Sequence, residues 1–407
     1  MKVRSITYFC NPGWPLDEKQ LQTAGEFLAE AEAAYEAAGY EVQTTRLATV
    51  PFPQLLGADQ IGETPRLAER LSAAIRPLGI VYASLGPAQP EIPDSYAVIP
   101  EAIAAAQDIF FSGLMADTTI GISLPALRAC AKVITRCGPL TPDGFANLRF
   151  TALANVRPGS PFFPAAYHDR AEPAFAIATE AADLAVDAFS NARTVSDGQQ
   201  TLTAEVEKHA RQLAAVGDTL GRRFSIDFGG IDFSLAPFPS EAVSIGAAME
   251  RMGVPKTGLH GSLAAAAILT EAIERANFPR TGFSGLMLPV LEDAVLARCA
   301  AEGTLTVKDL LLYSAVCGTG LDTVPLPGDT SAEQIAAVLL DLSALALRLD
   351  KPLTARLMPI PGKKAGDPTG FDFDYFANSR VMALEAETLK PPFSTSEQFE
   401  LRPRGKA

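Results

Sequence analysis

Apolar residues in this chain recur in two rhythms that alternate along its length. Short dense apolar runs are the mark of buried strands, and longer stretches with apolar positions three and four apart are the mark of helices. Residues 3–9 read as a strand and run into a Pro- and Gly-rich turn at 11–15. Asp17 is placed to cap a helix that continues to Ala38 and stops at Gly39, and a second strand follows over 41–47. The same alternation predicts strands at 79–84, 108–112 and 148–156, helices at 124–136, 173–190 and 205–223, and an extended stretch at 224–235. Beyond it come helices at 241–252, 262–276, 289–302, 307–315 and 332–350, with extended runs at 281–288, 353–360 and 379–384. This order predicts an α/β chain with a largely parallel sheet or barrel, and periodicity alone does not choose between the two. Residues 1–390 read as one large domain with a soft boundary in the polar run 193–200, and 391–407 as a peripheral or partly disordered tail.

Composition narrows the partners. With 407 residues and 48% hydrophobic side chains, the chain can bury a large core. Its net charge of −13 argues against binding a nucleic-acid backbone or an anionic membrane, yet leaves room for a small anion held by a local basic cluster. The apolar helix over 335–349 is broken by Asp341 and Arg348, too polar for a span. The five cysteines form no CxxC pair and no apolar signal segment opens the chain, so free thiols in the cytoplasm are expected. Three histidines speak against an all-histidine metal site.

Chemistry concentrates in a few segments. Ser314–Asp329 sets Cys317, Asp322, Asp329 and Thr323 among Gly318, Gly320 and Gly328, with Val324-Pro325 and Leu326-Pro327 stiffening its exit. Cys317 reads either as a nucleophile or as a small buried apolar residue. Asp227 and Asp232 flank Gly229-Gly230 on an extended stretch, where Asp is disfavoured; cation binding, proton transfer and simple turn bonding all fit. Glu292 and Asp293 follow Pro289 in what reads as the first turn of a helix, where acids suit the dipole and also could serve as metal ligands. His260 and Ser262 open another helix as an acid/base and anion-site pair, or as a cap and a surface histidine. Arg356, Lys363 and Lys364 form a basic island, and Pro161–Asp169 is an aromatic, proline-rich loop that fits a pocket lining and a packed loop equally well. No P-loop, GxGxxG, GxSxG or HExxH motif occurs, so no nucleotide cofactor is expected; Mg or Ca is the cofactor the acids would suit.

Four blocks, 229–237, 287–293, 317–329 and 355–367, together with 376–382, resemble in order a prokaryotic family defined only as domain of unknown function 711. The resemblance implies a fold like that of the pyruvate formate-lyase-type glycyl radical enzymes, a ten-stranded α/β barrel with a loop inside and helices outside. Those enzymes need a cysteine on an internal loop, for which Cys317 would serve, and a radical glycine in an Arg-Val-x-Gly-aromatic motif. Here the motif reads Arg380-Val381-Met382-Ala383-Leu384, with Ala383 where the glycine must be, so radical chemistry is rejected. The expectation is a non-radical lyase or hydrolase for a small anionic metabolite. Cys317, Asp322, Asp232 and His260 would be catalytic. Arg356, Lys363, Lys364, Ser262, Thr323 and Arg380 would bind substrate, and Asp227, Asp232, Glu292 and Asp293 would hold a cation. The alternatives are a metabolite-binding or regulatory protein on a retired barrel and a homo-oligomeric scaffold; a homo-oligomer is expected in any case.

Overall fold

Strand β1 (Lys2–Cys10) is buried along nearly its whole length, as its dense apolar run requires, and it lies in the middle of the sheet rather than at an edge. The structure, a computed structural model, describes residues 1–405. After β1 come β2 (Thr45–Thr49), β3 (Tyr82–Ala88), β4 (Ile109–Asp117), β5 (Gly121–Ser123) and β6 (Phe150–Ala154). These are followed by β7 (Ala174–Glu180), β8 (Asp227–Asp232), β9 (Gly320–Pro327), β10 (Leu353–Ile360) and β11 (Gln398–Phe399). The main path of the sheet runs β8-β7-β1-β2-β3-β4-β6-β10-β9, with β5 and β11 attached beside β4.

Directions divide this path into blocks. β1, β2, β3, β4 and β6 are mutually parallel; β7 and β8 are parallel to each other but antiparallel to β1; β9 and β10 are parallel to each other, with β10 antiparallel to β6. The segment 285–290 touches both ends of the path. It makes a parallel bridge between Leu286 and Leu235, just past β8, and another between Pro289 and Asp322 on β9. Gly285 and Gly318 are the reason it can come so close: a Cβ on Gly285 would lie 2.8 Å from the Gly318 Cα.

Helices cover the sheet, and one continuous apolar cluster joins them to it. The helix Glu18–Ala37 begins at Asp17, whose carboxylate accepts from the Lys19 and Gln20 N–H groups, as the sequence predicts. Helix Ala332–Leu349 carries a reciprocal Ser331/Gln334 capping box. Among the described residues no helix is long and apolar enough to cross a membrane.

Several expected elements differ. Residues 173–190 were read as one helix but form strand β7 and then helix Ala182–Ser190. The polar run 193–200 contains the start of a 30-residue helix, Val195–Phe224, capped by Thr194. The expected helix over 289–302 is only Ala294–Ala301, so Glu292 precedes it and Asp293 is its cap. The Gly-rich stretch after Cys317 becomes strand β9 rather than a loop. Its prolines are tolerated because its continuous ladder runs along β10, while the other side carries only the isolated bridge of Asp322 to Pro289, away from both prolines. Runs 281–288 and 379–384 form bridges at most. In the tail, Gln398 and Phe399 pair with β5, so this stretch extends the sheet; Lys406 and Ala407 lie outside the described residues.

The loop that packs on a face of the sheet is the stretch between β6 and β7, not the one at Cys317. The Pro161 carbonyl accepts from Thr7 Oγ1 at 3.1 Å, Ser84 Oγ donates to the Ala166 carbonyl at 2.7 Å, and the His168 N–H donates to the Thr49 carbonyl at 2.9 Å. β1, β2 and β3 thus hold this aromatic loop against one face of the sheet.

A candidate functional site on the inner face of the sheet

Between the β6–β7 loop and the strands lies a cavity of about 120 Å³. Three arginines reach it from three strands: Arg4 on β1, Arg46 on β2 and Arg356 on β10. Two of the three sit at breaks in strand register. Arg4 falls between Val3 and Ser5, where the β1–β7 ladder shifts, and Arg356 falls between Ala355 and Leu357, where the β10–β9 ladder shifts. Such irregularities re-aim side chains, and they gather at functional sites. Opposite Arg356, Thr323 has a left-handed backbone (φ 43°), unusual for a β-branched residue. Its hydroxyl accepts the Leu291 N–H at 3.3 Å, which ties β9 to the loop that carries Glu292.

Two of the arginines are neutralised within the protein. Arg356 Nη2 bonds Glu292 at 2.7 Å and its Nε bonds Asp322 at 2.6 Å. Arg4 bonds the other Glu292 oxygen closely and approaches Glu180 at 3.4 Å. Burial presses the Glu292 carboxyl upward, but the Arg4 and Arg356 guanidiniums outweigh it and hold the group below the usual carboxylate range. Asp322 goes the other way: burial raises its pKa, with Glu292 adding repulsion, and one guanidinium does not offset both. Its Oδ2 has no hydrogen-bond partner among the described residues. Two neighbouring carboxyls whose environments drive them apart are a recurrent arrangement for proton transfer.

Arg46 is different. It is 9% exposed, its Nε bonds Thr44 Oγ1 at 2.8 Å, and among the described residues no carboxylate lies within ion-pair distance. Its guanidinium lies 5.0 Å from the Phe163 ring centroid and 6.0 Å from that of Tyr82. Burial, then the charge of Arg4, push its pKa down to about 9. That leaves a charged group at neutral pH with no counter-charge of its own. Phe110, Phe162 and Phe283 add to the aromatic wall.

The expected site residues disperse. Of them, the structure brings together Asp322, Arg356 and Glu292, which all line the cavity. Thr323 is beside them, acting through Leu291. Asp232 is fully buried on β8, where it accepts the Phe283 and Ser284 N–H groups at 2.7 and 2.8 Å and the Ser234 hydroxyl. Burial raises its pKa to about 6 in spite of those bonds. Gly282 lets the loop pass over it, since a Cβ there would sit 2.0 Å from the Asp232 carboxylate. Asp293 caps its own helix and also binds Ser244 and the Ile245 N–H at 2.6 Å, so it joins two helix starts. Asp227 is exposed and pairs with Arg170 at 2.8 Å. The four acids expected to hold a cation therefore do not converge, and among the described residues no group of three His, Cys, Asp or Glu side chains is arranged to hold a metal ion.

Cys317 is buried beneath the start of β9 and is not among the cavity residues. His260 is exposed, and Ser262 is buried, accepting from the Gly258 N–H. Lys364 is exposed, and Lys363 borders solvent while its carbonyl receives the Gly328 N–H. Arg380 donates to the Gly366 carbonyl, and with Ala383 it lines a separate outer groove. Arg4, Arg46 and Glu180 were not singled out in the sequence. The available signal was a charge inside a strand run: Arg4 in 3–9 and Arg46 in 41–47.

Residues 1–377 match the family described as "Uncharacterised ACR (DUF711)". The chain belongs to this family. A UPF0210 protein of Ruminiclostridium cellulolyticum is 28% identical over 426 aligned residues, covering 98% of this chain and 92% of that protein. One of Pelotomaculum thermopropionicum is 30% identical, over 93% and 86% of the two chains. One of Pyrobaculum arsenaticum is 36% identical over 261 residues, or 62% of this chain and 57% of that protein. The DUF711 match runs through β1, β2, β9 and β10, so every charged residue of the cavity lies inside it.

Proposed function

We propose that this protein is an enzyme for a small organic anion with an apolar body, bound in the cavity and transformed by proton transfer at Asp322. The observation that carries this reading is Arg46, a buried guanidinium facing an aromatic-walled cavity and without a carboxylate partner among the described residues. An anionic ligand would supply the missing counter-charge, and the rings would pack its body. Asp322, with a raised pKa and a free Oδ2, would give or take the proton, while Glu292 stays ionised and fixes Arg356 in place. No step here needs Cys317 or a metal ion.

We also infer that the sheet closes. Taken as a further strand, segment 285–290 would join β8 to β9 and complete two sets of five parallel strands, β1-β2-β3-β4-β6 and β10-β9-(285–290)-β8-β7. That count is what supports kinship with the pyruvate formate-lyase-type barrel. Ala383, exposed on the outer groove, supports leaving radical chemistry out of the reading.

The test is binding calorimetry with a panel of monocarboxylates. Arg46→Met should weaken the best binder by about 10- to 100-fold, the size of a lost charge-assisted hydrogen-bond pair. Equal binding by wild type and Arg46→Met would overturn the proposal. Binding without any chemical change, followed by mass spectrometry, would favour the regulatory alternative.

A further inference from the structure

The cavity has a second polar end that the anion anchor does not use. Thr151 on β6 and Thr319 just before β9 both line it, at 1% and 3% exposure, and among the described residues neither hydroxyl has a hydrogen-bond partner. Ser112 on β4, the register partner of Thr151, is fully buried and equally unpartnered. Buried hydroxyls in folded proteins nearly always find partners, so three orphans in one neighbourhood call for a ligand group. Their surroundings set its charge. Thr151 lies one residue past the Ala152–Ala355 pair, next to Arg356, and Arg356 is already neutralised by Asp322 and Glu292. An uncharged group that both donates and accepts fits hydroxyls better than a second anion would.

We infer that the β6–β9 end of the cavity is a neutral subsite, and that the ligand is a bifunctional anion. Its acidic group meets Arg46, and a hydroxyl, carbonyl or amide meets Thr151 and Thr319 beside Asp322. This rests on the reading of Arg46 given above. β2 and β6 are separated by β3 and β4, so three strand spacings of about 4.8 Å set these two strands roughly 14 Å apart across the sheet. The placement gives the proton chemistry its address, because Thr319 immediately precedes β9 and Asp322 is the third residue of that strand.

Matched carboxylate pairs test this. Isovalerate is compared with its 2-hydroxy and 3-hydroxy derivatives, and phenylacetate with mandelate and 4-hydroxyphenylacetate, on wild type, Thr151→Val and Thr319→Val. At least one hydroxylated probe should bind wild type about tenfold more tightly than its parent, and each valine variant should erase that preference. Equal binding within every pair, or a preference that survives in both variants, overturns the neutral subsite and leaves the anion anchor standing. No binding by any probe, with Arg46→Met no different, overturns both. A second measurement needs no ligand. Replacing an unpartnered buried hydroxyl by an isosteric methyl should raise the melting temperature of the free protein by about one degree. A fall in both variants would mean that the hydroxyls already have partners, and would also sink the inference.

Discussion

At the scale of single residues, Asp322 and Asp232 are two aspartates with raised pKa values in different surroundings, the first half-buried and the second fully buried. Asp322 has one oxygen without a hydrogen-bond partner among the described residues, whereas Asp232 spends both on the loop that crosses it. Asp322→Asn should therefore leave the fold intact and remove turnover of whichever carboxylate proves to be substrate, checked by circular dichroism beside the activity assay. Asp232→Asn should act on stability, by about 1–3 kcal/mol, because the amide NH2 would put donor hydrogens where one Asp232 oxygen accepts a backbone N–H. Its pH dependence has a definite sign. The folded-state pKa of Asp232, about 6, lies above its ordinary value near 3.8. The stability it lends is complete below about pH 4 and is lost as pH rises through about 6. In urea melts the gap between wild type and Asp232→Asn should accordingly narrow from pH 4 to pH 6.5; a gap that widens would contradict that assignment.

At the scale of elements, the aromatic loop between β6 and β7 is the part whose sequence spoke most directly. Pro161–Asp169 reads as a pocket lining, and Phe162, Phe163 and Pro164 do line the cavity. What holds it, the Ser84 hydroxyl on the Ala166 carbonyl, is a contact between distant stretches that no local pattern could reveal. Ser84→Ala should leave that carbonyl unsatisfied, and amide exchange over 155–168 should quicken while the strands stay protected. The helices and strands were legible where amphipathic period and caps agreed, as at 18–37 and 332–349. They were misread at 174–180, where Ala-Phe-Ala-Ile-Ala is buried on every side and a buried strand has no polar alternation to distinguish it from a helix. Asp322, Arg356 and Glu292 could be marked one by one as polar residues in apolar runs. Their convergence depends on register breaks in β10 and on a bridge between 289 and 322, neither written in local sequence.

At the scale of the whole molecule, the cavity is assembled from both ends of the chain: Arg4 and Arg46 come from its first fifty residues, and Glu292, Asp322 and Arg356 from its last third. That arrangement, with β1 in mid-sheet, bears on how the protein is made. On the ribosome β1 gains its β2 neighbour early, but its other edge waits for β7, which begins at Ala174. At ordinary elongation rates that wait is on the order of ten seconds or more. Throughout it the nascent parallel layer shows a bare strand edge and Arg4, whose partners Glu180 and Glu292 have yet to be synthesised. A fragment ending at residue 172 should collect in the pellet and recover solubility only when the remainder of the chain is supplied. That outcome would mark the interval before β7 as the one in which the growing chain needs protection that its own fold does not yet give.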